Sequence, residues 1–387
     1  MKKDTKSTSE DNKILEFPWK KDNKKARSYR GVILFVILVV AIWVCLFSGD
    51  SSFNYTNTVN VEPIALSTAN NYDFTSYKGG YILAKDGKIS CYNTNQQLQW
   101  ETTSSKTSPT IKVNENYALV YYNSDNLAVV TNGEKTRKIK TSGNVLYGYV
   151  NTNGSCVLLL KESGLKNKIV VYNKNGEIIY YRDNPDKHIT YALLSDDNKT
   201  LITSELITSG DSISTELVVT NVNKNEVKST IKFENEIPGG YFLTDKRRMA
   251  VIFESSIKSF DLDGKLKWET KFENKSAFRF SYDGGIFAFV FNDDDSANTG
   301  SEAVFYNRKG KKIGSYKTDQ KIRGIDISDK TVLLTMDRQL IMVNTKGKHI
   351  STSDVTYDMK NSFLMGTKKC ALIISNSRDA RLVPLAK

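Results

Sequence analysis

The sequence is short of the residue types that most often perform chemistry. It contains two histidines, His188 and His349, among 387 residues. Two are too few for a histidine-rich metal site, and they argue against a histidine-based catalytic triad. A Walker phosphate loop, a G-x-S-x-G nucleophile elbow and an H-E-x-x-H metal motif are also missing from any suitable context. We therefore predict no catalytic residues and a protein that is not an enzyme.

Cysteine is equally scarce, with four residues in the chain. Cys45 lies inside an apolar run, where the bulky residues before it disfavour a lipidation site, and Cys91, Cys156 and Cys370 stand at irregular spacing in strand-like segments. No C-x-x-C pair occurs, and three cysteines cannot pair completely. The sequence predicts buried thiols that pack as small apolar side chains.

The excess of positive charge is unevenly distributed. The net charge is +12, of which residues 1–30 contribute ten Lys or Arg against five Asp or Glu. The rest of the chain is mildly basic, with charges of both signs interspersed. It has no basic stripe with interleaved aromatic residues, so nucleic acid is not an expected partner. A mild excess of this kind suits solubility or attraction to an anionic surface such as a cell wall.

Charge is missing altogether from Gly31 to Phe47. These seventeen residues contain no proline and reach the lower limit for a membrane-spanning helix, and the next two residues extend it. Trp43 suits the headgroup region at one end. A cleaved signal peptide is the alternative, but the segment before the run is long and no small-x-small cleavage site follows it. We predict an uncleaved signal anchor over residues 31–49, marked by Gly31, Trp43 and Phe47.

The flanking charges predict the orientation of this anchor. Six basic residues crowd residues 20–30, whereas Asp50 is the first charged residue on the other side. By the positive-inside rule, residues 1–30 form a disordered, basic cytoplasmic tail. Residues 50–58 are then a spacer, and residues 59–387 form a domain outside the cytoplasmic membrane, with the lipid bilayer as one partner.

An apolar cluster that includes Phe17, Pro18 and Trp19 interrupts the polar tail. The cluster is either a docking motif for a cytoplasmic partner or a surface contact with the bilayer. In the second interpretation the aromatic side chains lie among the headgroups and the neighbouring lysines contact anionic lipid. We favour the second interpretation.

One unit recurs seven times after the anchor: an apolar strand, a short turn opened by Asn or Asp, and a second strand. The spacing of the turns averages close to 40 residues, which is typical of a β-propeller. The Asn or Asp side chain can bond the backbone two residues on, and a glycine closes most of the turns. The opening residues are Asn93, Asn132, Asn173, Asn221, Asp261, Asn307 and Asn344.

The number of blades follows from the residues outside the seven units. Three strand candidates follow the seventh unit, at 362–365, 371–375 and 380–383, and one more precedes the first unit at 59–66. Pairing these four strands would complete an eighth sheet and remove the free edge of the ring. The predicted fold class is therefore all-β, an eight-bladed propeller with seven blades as the alternative, preceded by one transmembrane helix.

Two of the units resemble the repeat of the PQQ-like propellers. The segment from Asp86 to Trp100 carries the pattern, as does the segment around Asp261, Gly264 and Trp268. That group includes quinoprotein dehydrogenases and outer-membrane assembly lipoproteins that share the fold without cofactor. The resemblance implies that the two tryptophans pack blade against blade.

The resemblance is incomplete, because five of the seven units lack the docking tryptophan. Residues such as Ile139 or Ile179 are expected to take its place there. The sequence also supplies no quinone or calcium site of the quinoprotein kind, so no cofactor is predicted. The order of short tail, single span and external propeller also resembles a group of membrane proteins of clostridia and their relatives.

Two long connections lie between the second and third strands of their units. The acidic loop with Asp293, Asp294 and Asp295 offers oxygen ligands that suit Ca²⁺, but it lacks the spacing of an EF-hand, so we favour a solvated loop. A second loop covers residues 208–214. Both should project from one face of the disc, where they could form a binding rim or could be tolerated insertions.

Three functions remain open at this point. The leading hypothesis is a non-enzymatic scaffold in the cell envelope that binds protein partners concerned with envelope assembly or secretion. The second is a binder or sensor of cell-wall polymer, with the tail relaying to the cytoplasm. The third, an enzyme of the quinoprotein type, is disfavoured.

Overall fold

A computed structural model of the chain describes residues 64–65, 72–105, 108–123, 125–209, 212–245, 247–273, 275–292, 300–366, 370–375 and 379–385. All of them belong to one compact unit, Asn60–Lys387. The predicted anchor with Gly31, Trp43 and Phe47, the tail motif Phe17-Pro18-Trp19 and the acidic loop Asp293 to Asp295 lie outside the described residues. None of the described residues belongs to a helix long and apolar enough to cross a membrane.

The described residues form 32 strands, labelled β1 to β32 in chain order. Sheet 1 contains β2 (Tyr72–Tyr77), β3 (Gly80–Lys85), β4 (Lys88–Tyr92) and β5 (Leu98–Thr103). Sheet 2 contains β6 (Pro109–Val113), β7 (Ala118–Tyr122), β8 (Leu127–Thr131) and β9 (Thr136–Lys140). Sheet 3 contains β10 (Asn144–Val150), β11 (Cys156–Lys161), β12 (Asn167–Tyr172) and β13 (Ile178–Asn184). Sheet 4 contains β14 (His188–Leu194), β15 (Thr200–Ser209), β16 (Ser212–Asn221) and β17 (Glu226–Glu234). Sheet 5 contains β18 (Gly240–Asp245), β19 (Arg248–Ile252), β20 (Ser256–Asp261) and β21 (Leu266–Lys271). Sheet 6 contains β22 (Ala277–Tyr282), β23 (Ile286–Asn292), β24 (Ser301–Asn307) and β25 (Lys312–Thr318). Sheet 7 contains β26 (Gly324–Ser328), β27 (Thr331–Thr335), β28 (Gln339–Asn344) and β29 (His349–Asp354). The closing sheet contains β1 (Ile64–Ala65), β30 (Met359–Leu364), β31 (Cys370–Ser375) and β32 (Asp379–Pro384).

Every sheet has four strands, and each neighbouring pair is antiparallel. Sheets 1 to 7 are each built from four consecutive strands, whereas the closing sheet has the order β1-β32-β31-β30. It joins the two ends of the domain, since Ile64 pairs with Ala380. The all-β propeller predicted from the repeat is confirmed. Of the predicted N-terminal strand at 59–66, the structure describes two residues, Ile64–Ala65, and both are in β1.

Buried side chains hold each sheet against the next. The cluster between sheets 5 and 6 is rich in phenylalanine, and Phe287 and Phe289 are both fully buried. The closing sheet contacts both of its neighbours in the ring. Leu382 lies in one cluster with Phe74 of sheet 1, and Leu364 lies in another with Leu333 of sheet 7. A single sheet cannot bury both of its faces, so the ring of neighbours supplies the core.

The turn that opens each fourth strand has the chemistry that the sequence predicts. In sheet 5 the Asp261 carboxylate accepts bonds from the N–H groups of Asp263, at 3.2 Å, and Lys265, at 2.8 Å. The N–H of Gly264 closes the turn on the Asp261 carbonyl at 3.1 Å, with φ at 87°. The same two side-chain bonds recur at Asn93, Asn173, Asn307 and Asn344, and Asn132 accepts from the residues two and three places on. In the turn at Asn221 the side-chain oxygen accepts a single bond, from the N–H of Lys224 three residues on.

In sheets 2, 3, 5, 6 and 7 the turn lies against the fourth strand of the preceding sheet. A Cβ atom added at Gly133 would stand 2.5 Å from the indole nitrogen of Trp100, and one at Gly310 would stand 2.4 Å from the ring of Trp268. Thr270 also donates from its hydroxyl to the carbonyl of Gly310 at 2.8 Å. The predicted role of the two tryptophans in packing blade against blade is confirmed.

The prediction for Ile179 is wrong. Ile179 is 37% exposed, whereas its neighbour Tyr180 is 7% exposed and belongs to the core. Tyr180 stands seven residues after its turn-opening Asn173, as Trp100 stands seven after Asn93. Since successive side chains of a strand point to opposite sides, the residue at the seventh position faces the next sheet and the sixth does not. Ile139, at the seventh position in sheet 2, is buried as expected.

The predicted loop at 208–214 is largely strand. β15 and β16 run for ten residues each, and Thr208 pairs with Ile213. Threonine, serine and isoleucine alternate in this segment, and such a pattern favours a strand. The turn-forming residues from Ser209 to Ser212 led to the prediction of a longer loop. The insertion therefore extends a hairpin of sheet 4.

The described cysteine side chains are buried and unpaired. Cys91 and Cys156 lie in the core clusters of sheets 1 to 3. Burial raises the pKa of Cys156 to about 12, so its thiol stays protonated and unreactive. The prediction that these residues pack as small apolar side chains is confirmed for both.

Candidate binding surfaces of the propeller

The strand order gives the ring a channel and two faces. The first strands of neighbouring sheets contact one another and line the centre, as β22, β26 and β30 do. We call the face formed by the first-to-second and third-to-fourth connections of sheets 1 to 7 the turn face. The opposite face, which carries the second-to-third connections and the links between sheets, is the loop face. The seven turn-opening Asn and Asp residues are spread around the turn face, one in each of sheets 1 to 7.

A groove of about 610 Å³ opens on the turn face between sheets 4 and 5. This volume lies within the range of ordinary ligand sites. The groove follows the line where β17 meets the turn of sheet 5, and the Ser229 hydroxyl donates to the Leu262 carbonyl there at 3.2 Å. The charged residues of its lining are Lys199, Lys228, Arg247, Arg248, Lys267, Asp197, Asp261 and Asp263.

Two of the three acidic residues of the groove, Asp197 and Asp261, are committed to the fold, whereas the Asp263 side chain is 83% exposed. The Asp261 carboxylate lies 2.5 Å from the Lys267 ammonium, and that contact together with the N–H of Lys265 lowers the pKa of Asp261. Loss of water around Asp197 raises its pKa, but bonds from the Ser195 hydroxyl and the Lys199 N–H outweigh that effect and lower it overall. Both carboxylates are ionised and turned toward their own loops.

The basic residues of the groove are less well neutralised. Lys228 lies 3.9 Å from Asp263, and the Nε of Arg248 lies 3.9 Å from Asp245, which are both at the limit of an ion pair. Within the ranges that the structure describes, the side chains of Lys199 and Arg247 form no ion pair. The groove therefore presents positive charge that a ligand can neutralise.

The groove continues toward the centre of the turn face. A second cavity of about 440 Å³ shares Asp197 with the first and reaches the ends of the inner strands. Leu243 gives it an apolar wall, and Arg308 closes one side by donating from Nε to the Gly284 carbonyl at 2.6 Å. Together the two cavities form a trough that can hold an extended chain.

Two aspartates bridge the inner strands of the channel. The Asp326 carboxylate accepts from the N–H of Leu364 on the closing sheet at 2.8 Å and from the Ser281 hydroxyl on sheet 6 at 3.2 Å. Asp73 accepts in the same way from the N–H of Ile111 on sheet 2 at 2.7 Å. Loss of water raises the pKa of Asp326 to about 6, and it also raises the pKa of Asp73.

Tyrosines line another arc of the channel. The ring centroids of Tyr147 and Tyr191 are 4.8 Å apart, and those of Tyr191 and Tyr241 are 4.6 Å apart. The Tyr241 hydroxyl lies 2.6 Å from the Ser204 hydroxyl. Burial raises the pKa of Tyr241 to about 12, so the phenol is neutral. In the sequence these aspartates and tyrosines stand as single polar groups among the apolar residues of the first strands. No motif marks them, so the sequence did not predict their place in the channel.

The described part of the chain contains no cluster of three or more His, Cys, Asp or Glu that could hold a metal ion. The acidic loop of Asp293, Asp294 and Asp295 lies outside it, so the calcium hypothesis for that loop stays untested.

Comparison with solved structures supports the fold. BamB from Moraxella catarrhalis matches with a TM-score of 0.52 and 13% identity, over 84% of this chain and 98% of that one. Sqt1 from Saccharomyces cerevisiae matches with a TM-score of 0.56 and 8% identity, over 85% of this chain and 100% of that one. At such low identity both similarities establish a propeller and nothing about activity.

Comparison by sequence leads to a family. No curated protein matches the chain. The model of a family of unknown function, DUF5711, matches residues 51–380, which include all seven units of the repeat. The chain belongs to the DUF5711 family.

Proposed function

We propose that the protein is a non-enzymatic scaffold that binds an acidic segment of a protein partner in the turn-face groove between sheets 4 and 5. The observation that carries the proposal is the charge balance of the groove. The carboxylates of Asp197 and Asp261 are held by their own turns, which leaves Asp263 as the one exposed carboxylate against several basic residues. Lys199 and Arg247 face solvent without an ion pair in the described chain. An acidic peptide supplies the missing negative charge.

The shape of the site supports a chain-like ligand. The 610 Å³ groove and the 440 Å³ cavity share Asp197 and run from the rim toward the centre. Short turns held by internal hydrogen bonds build the walls, so little conformational entropy is lost when a partner binds. The propeller fold provides a broad, rigid surface of this kind.

We further propose that residues 31–49 anchor the protein in the cytoplasmic membrane, with the propeller outside. The uncharged run and the basic residues before it support this orientation. Protease treatment of intact cells with the outer layers opened should remove the domain and leave residues 1–30 protected. Survival of the whole domain under those conditions, with lysed cells digested as a control, would refute the location.

The composite closing sheet bears on the rigidity of the scaffold. We infer that it acts as the eighth blade, since it is packed between sheets 7 and 1 in two buried clusters. We call the closing sheet and its contacts with sheets 7 and 1 the seam of the ring. A ring held in this way has no free sheet edge at its seam.

Site-specific crosslinking tests the groove. A photoreactive residue in place of Arg247 in the full-length protein should capture one partner in native membranes, whereas the same residue in place of Arg338 on the loop face should not. The K199Q/R247Q variant should recover roughly tenfold less of that partner. The matched variant K135Q/K174Q removes two exposed charges from the turn face at sheets 2 and 3 and should recover it normally. Equal loss in both variants would place the interaction elsewhere.

A second candidate function, binding of an anionic cell-wall polymer, has support from sheets 6 and 7. Their turns carry the exposed residues Lys309, Lys311, Lys346 and Lys348, whose side chains form no ion pair within the described ranges. The turn of sheet 7 lies against β25, the strand that follows the turn of sheet 6, since a Cβ added at Gly314 would stand 2.5 Å from the Thr345 carbonyl oxygen. Retention on purified wall that is lost when all four lysines become Gln would favour this function over the first.

A further inference from the structure

A separate cavity opens at the loop-face end of the channel. Its volume is about 480 Å³, and it lies between the inner strands of sheet 6, sheet 7 and the closing sheet. It is distinct from the turn-face groove, with which it shares no residue. Its lining consists of three short segments, 279–281 of β22, 323–326 at the start of β26, and 360–363 of β30.

Basic side chains from all three segments converge on this cavity. Arg279 stacks on Phe278, with its guanidinium carbon 4.3 Å from the ring centroid, and also donates to the Phe278 carbonyl at 3.3 Å. These contacts hold the guanidinium without neutralising it. Lys360 has no ion pair in the part of the chain that the structure describes. Arg323 does have a partner, because it forms two bonds with Asp337 at 2.8 and 3.3 Å.

The one carboxylate in the lining, Asp326, forms no ion pair with these basic residues in the described part of the chain. Both oxygens of Asp326 accept bonds from the wall, from the N–H groups of Ile327 and Leu364 and from the Ser281 hydroxyl. Because these donors satisfy Asp326, its carboxylate is turned toward the inner strands. Arg279 and Lys360 remain exposed and available to an incoming anion.

Neutral groups complete the cavity. The Asn361 side-chain oxygen accepts from the N–H of Ser362 at 2.9 Å, while its Nδ2 has no partner among the described residues. Phe280 and Phe363 are half-buried and give two apolar walls. Two cations, an amide donor and two aromatic walls suit a compact molecule that carries an anionic group on an apolar or sugar-like body.

We propose that this channel-mouth cavity binds a small anionic ligand through a carboxylate or phosphate group held by Arg279 and Lys360, with Asn361 as an additional donor. The two cations stand on different sheets, β22 and β30, so the ligand bridges sheet 6 and the closing sheet across β26. Binding would therefore also stabilise the seam of the ring by mass action. The proposal does not depend on the turn-face groove or on its protein partner.

Calorimetric titration of the full-length protein in detergent tests the proposal. The probes are inorganic phosphate, glucose 6-phosphate, glucuronate and citrate, with glucose as the uncharged control. We expect at least one anionic probe to bind with a submillimolar Kd that weakens as salt is raised, and glucose not to bind. Phosphate-bearing and carboxylate-bearing probes separate the two possible sources of the anionic group. No binding by any anionic probe, or equal binding of glucose, would overturn the proposal.

Variants locate the binding. R279Q and K360Q should each weaken the best probe about tenfold, since each removes one charged contact. R338Q is the matched control, because Arg338 lies on the same face outside the cavity and pairs with Asp358. Thermal unfolding without ligand should be alike in all three variants, while the ligand-induced rise in Tm should be lost in R279Q and K360Q alone. An equal loss of affinity in R338Q would show that general surface charge, not the cavity, attracts the anion.

Discussion

At the scale of single residues, a few polar side chains connect the first strands of neighbouring sheets, which are not paired by backbone hydrogen bonds. Neighbouring first strands of the ring belong to different sheets, so side chains form the bonds between them. Asp326 on β26 does this by accepting from Ser281 on β22 and Leu364 on β30, and Asp73 does it between sheets 1 and 2. The turn-opening residues act within one loop instead. A local sequence pattern therefore predicts the turns, whereas it could not predict the roles of Asp326 and Asp73, whose partners are distant in the chain.

Asp326 makes the stability of the protein depend on pH. Its pKa rises from 3.8 to about 6 on folding, so the folded state binds the proton more tightly than the unfolded state does. The contribution to stability is therefore greatest below pH 4 and is lost as the pH rises toward 6, by about 3 kcal/mol in total. In D326N this loss should be absent, so the difference in unfolding free energy between wild type and variant should shift by that amount between pH 4 and 7.

Urea unfolding at several pH values measures this difference. D186N is the control, because Asp186 is exposed in the link between sheets 3 and 4 and its replacement should leave the pH profile unchanged. Parallel profiles for wild type and D326N would contradict the assignment. A uniform offset between them is expected in addition, since Asn has one acceptor fewer than the carboxylate and leaves one donor unsatisfied.

At the scale of elements, the unit of the fold is a turn and the preceding sheet's outer strand that packs on it. The seventh residue after the turn opening points toward the next sheet in units 1, 2, 3 and 5, as Trp100, Ile139, Tyr180 and Trp268. The sequence predicted this contact where tryptophan marked it. The prediction was wrong at Ile179, because neighbouring residues of a strand face opposite sides of the sheet and Tyr180 is the one that faces the next sheet. Strand lengths were also misjudged at β15 and β16, where polar β-formers resemble loop residues.

The contact between Gly310 and Trp268 should be sensitive to a single methyl group. Gly310 has φ at 72°, and an added Cβ would stand 2.4 Å from the indole ring and 2.6 Å from Thr270. G310A should therefore suffer both a backbone cost of about 1–2 kcal/mol and an overpacking cost of about 1–3 kcal/mol. Chemical unfolding followed by tryptophan fluorescence reports both the stability and the environment of Trp268.

G164A separates the two costs. Gly164 has φ at 78° but has open space around its Cβ position. It should show the backbone cost alone and leave tryptophan emission unchanged. If G164A and G310A lost equal stability, the packing of the turn on the preceding sheet would contribute nothing measurable.

At the scale of the whole molecule, the sequence predicted the ring and could not locate its sites. A period near 40 residues and a turn in each unit identify a propeller, and the strands left over at the two ends indicated that they pair. The groove and the channel-mouth cavity each combine segments that are far apart in the chain, such as 197–200 with 261–263, or 279–281 with 360–363. Only the packing of the sheets brings such segments together, and a local sequence pattern does not predict which distant segments will be neighbours.

Closure of the ring should make its seam as important to stability as its interior. Leu382 is 3% exposed and lies in one cluster with Phe74 and Leu83 of sheet 1, although some 300 residues separate them in the chain. Truncation in L382A should cost about 2–5 kcal/mol, the usual range for a buried leucine. L266A is the matched control, because Leu266 lies on an outer strand at 48% exposure and should lose less than about 1 kcal/mol. In a closed ring the closing sheet unfolds together with sheets 1 and 7, because it packs against both. L382A should therefore lower the Tm of the whole domain in one transition. An early partial transition, with sheets 2 to 6 unfolding at the wild-type temperature, would show instead that the closing sheet is an independent appendage.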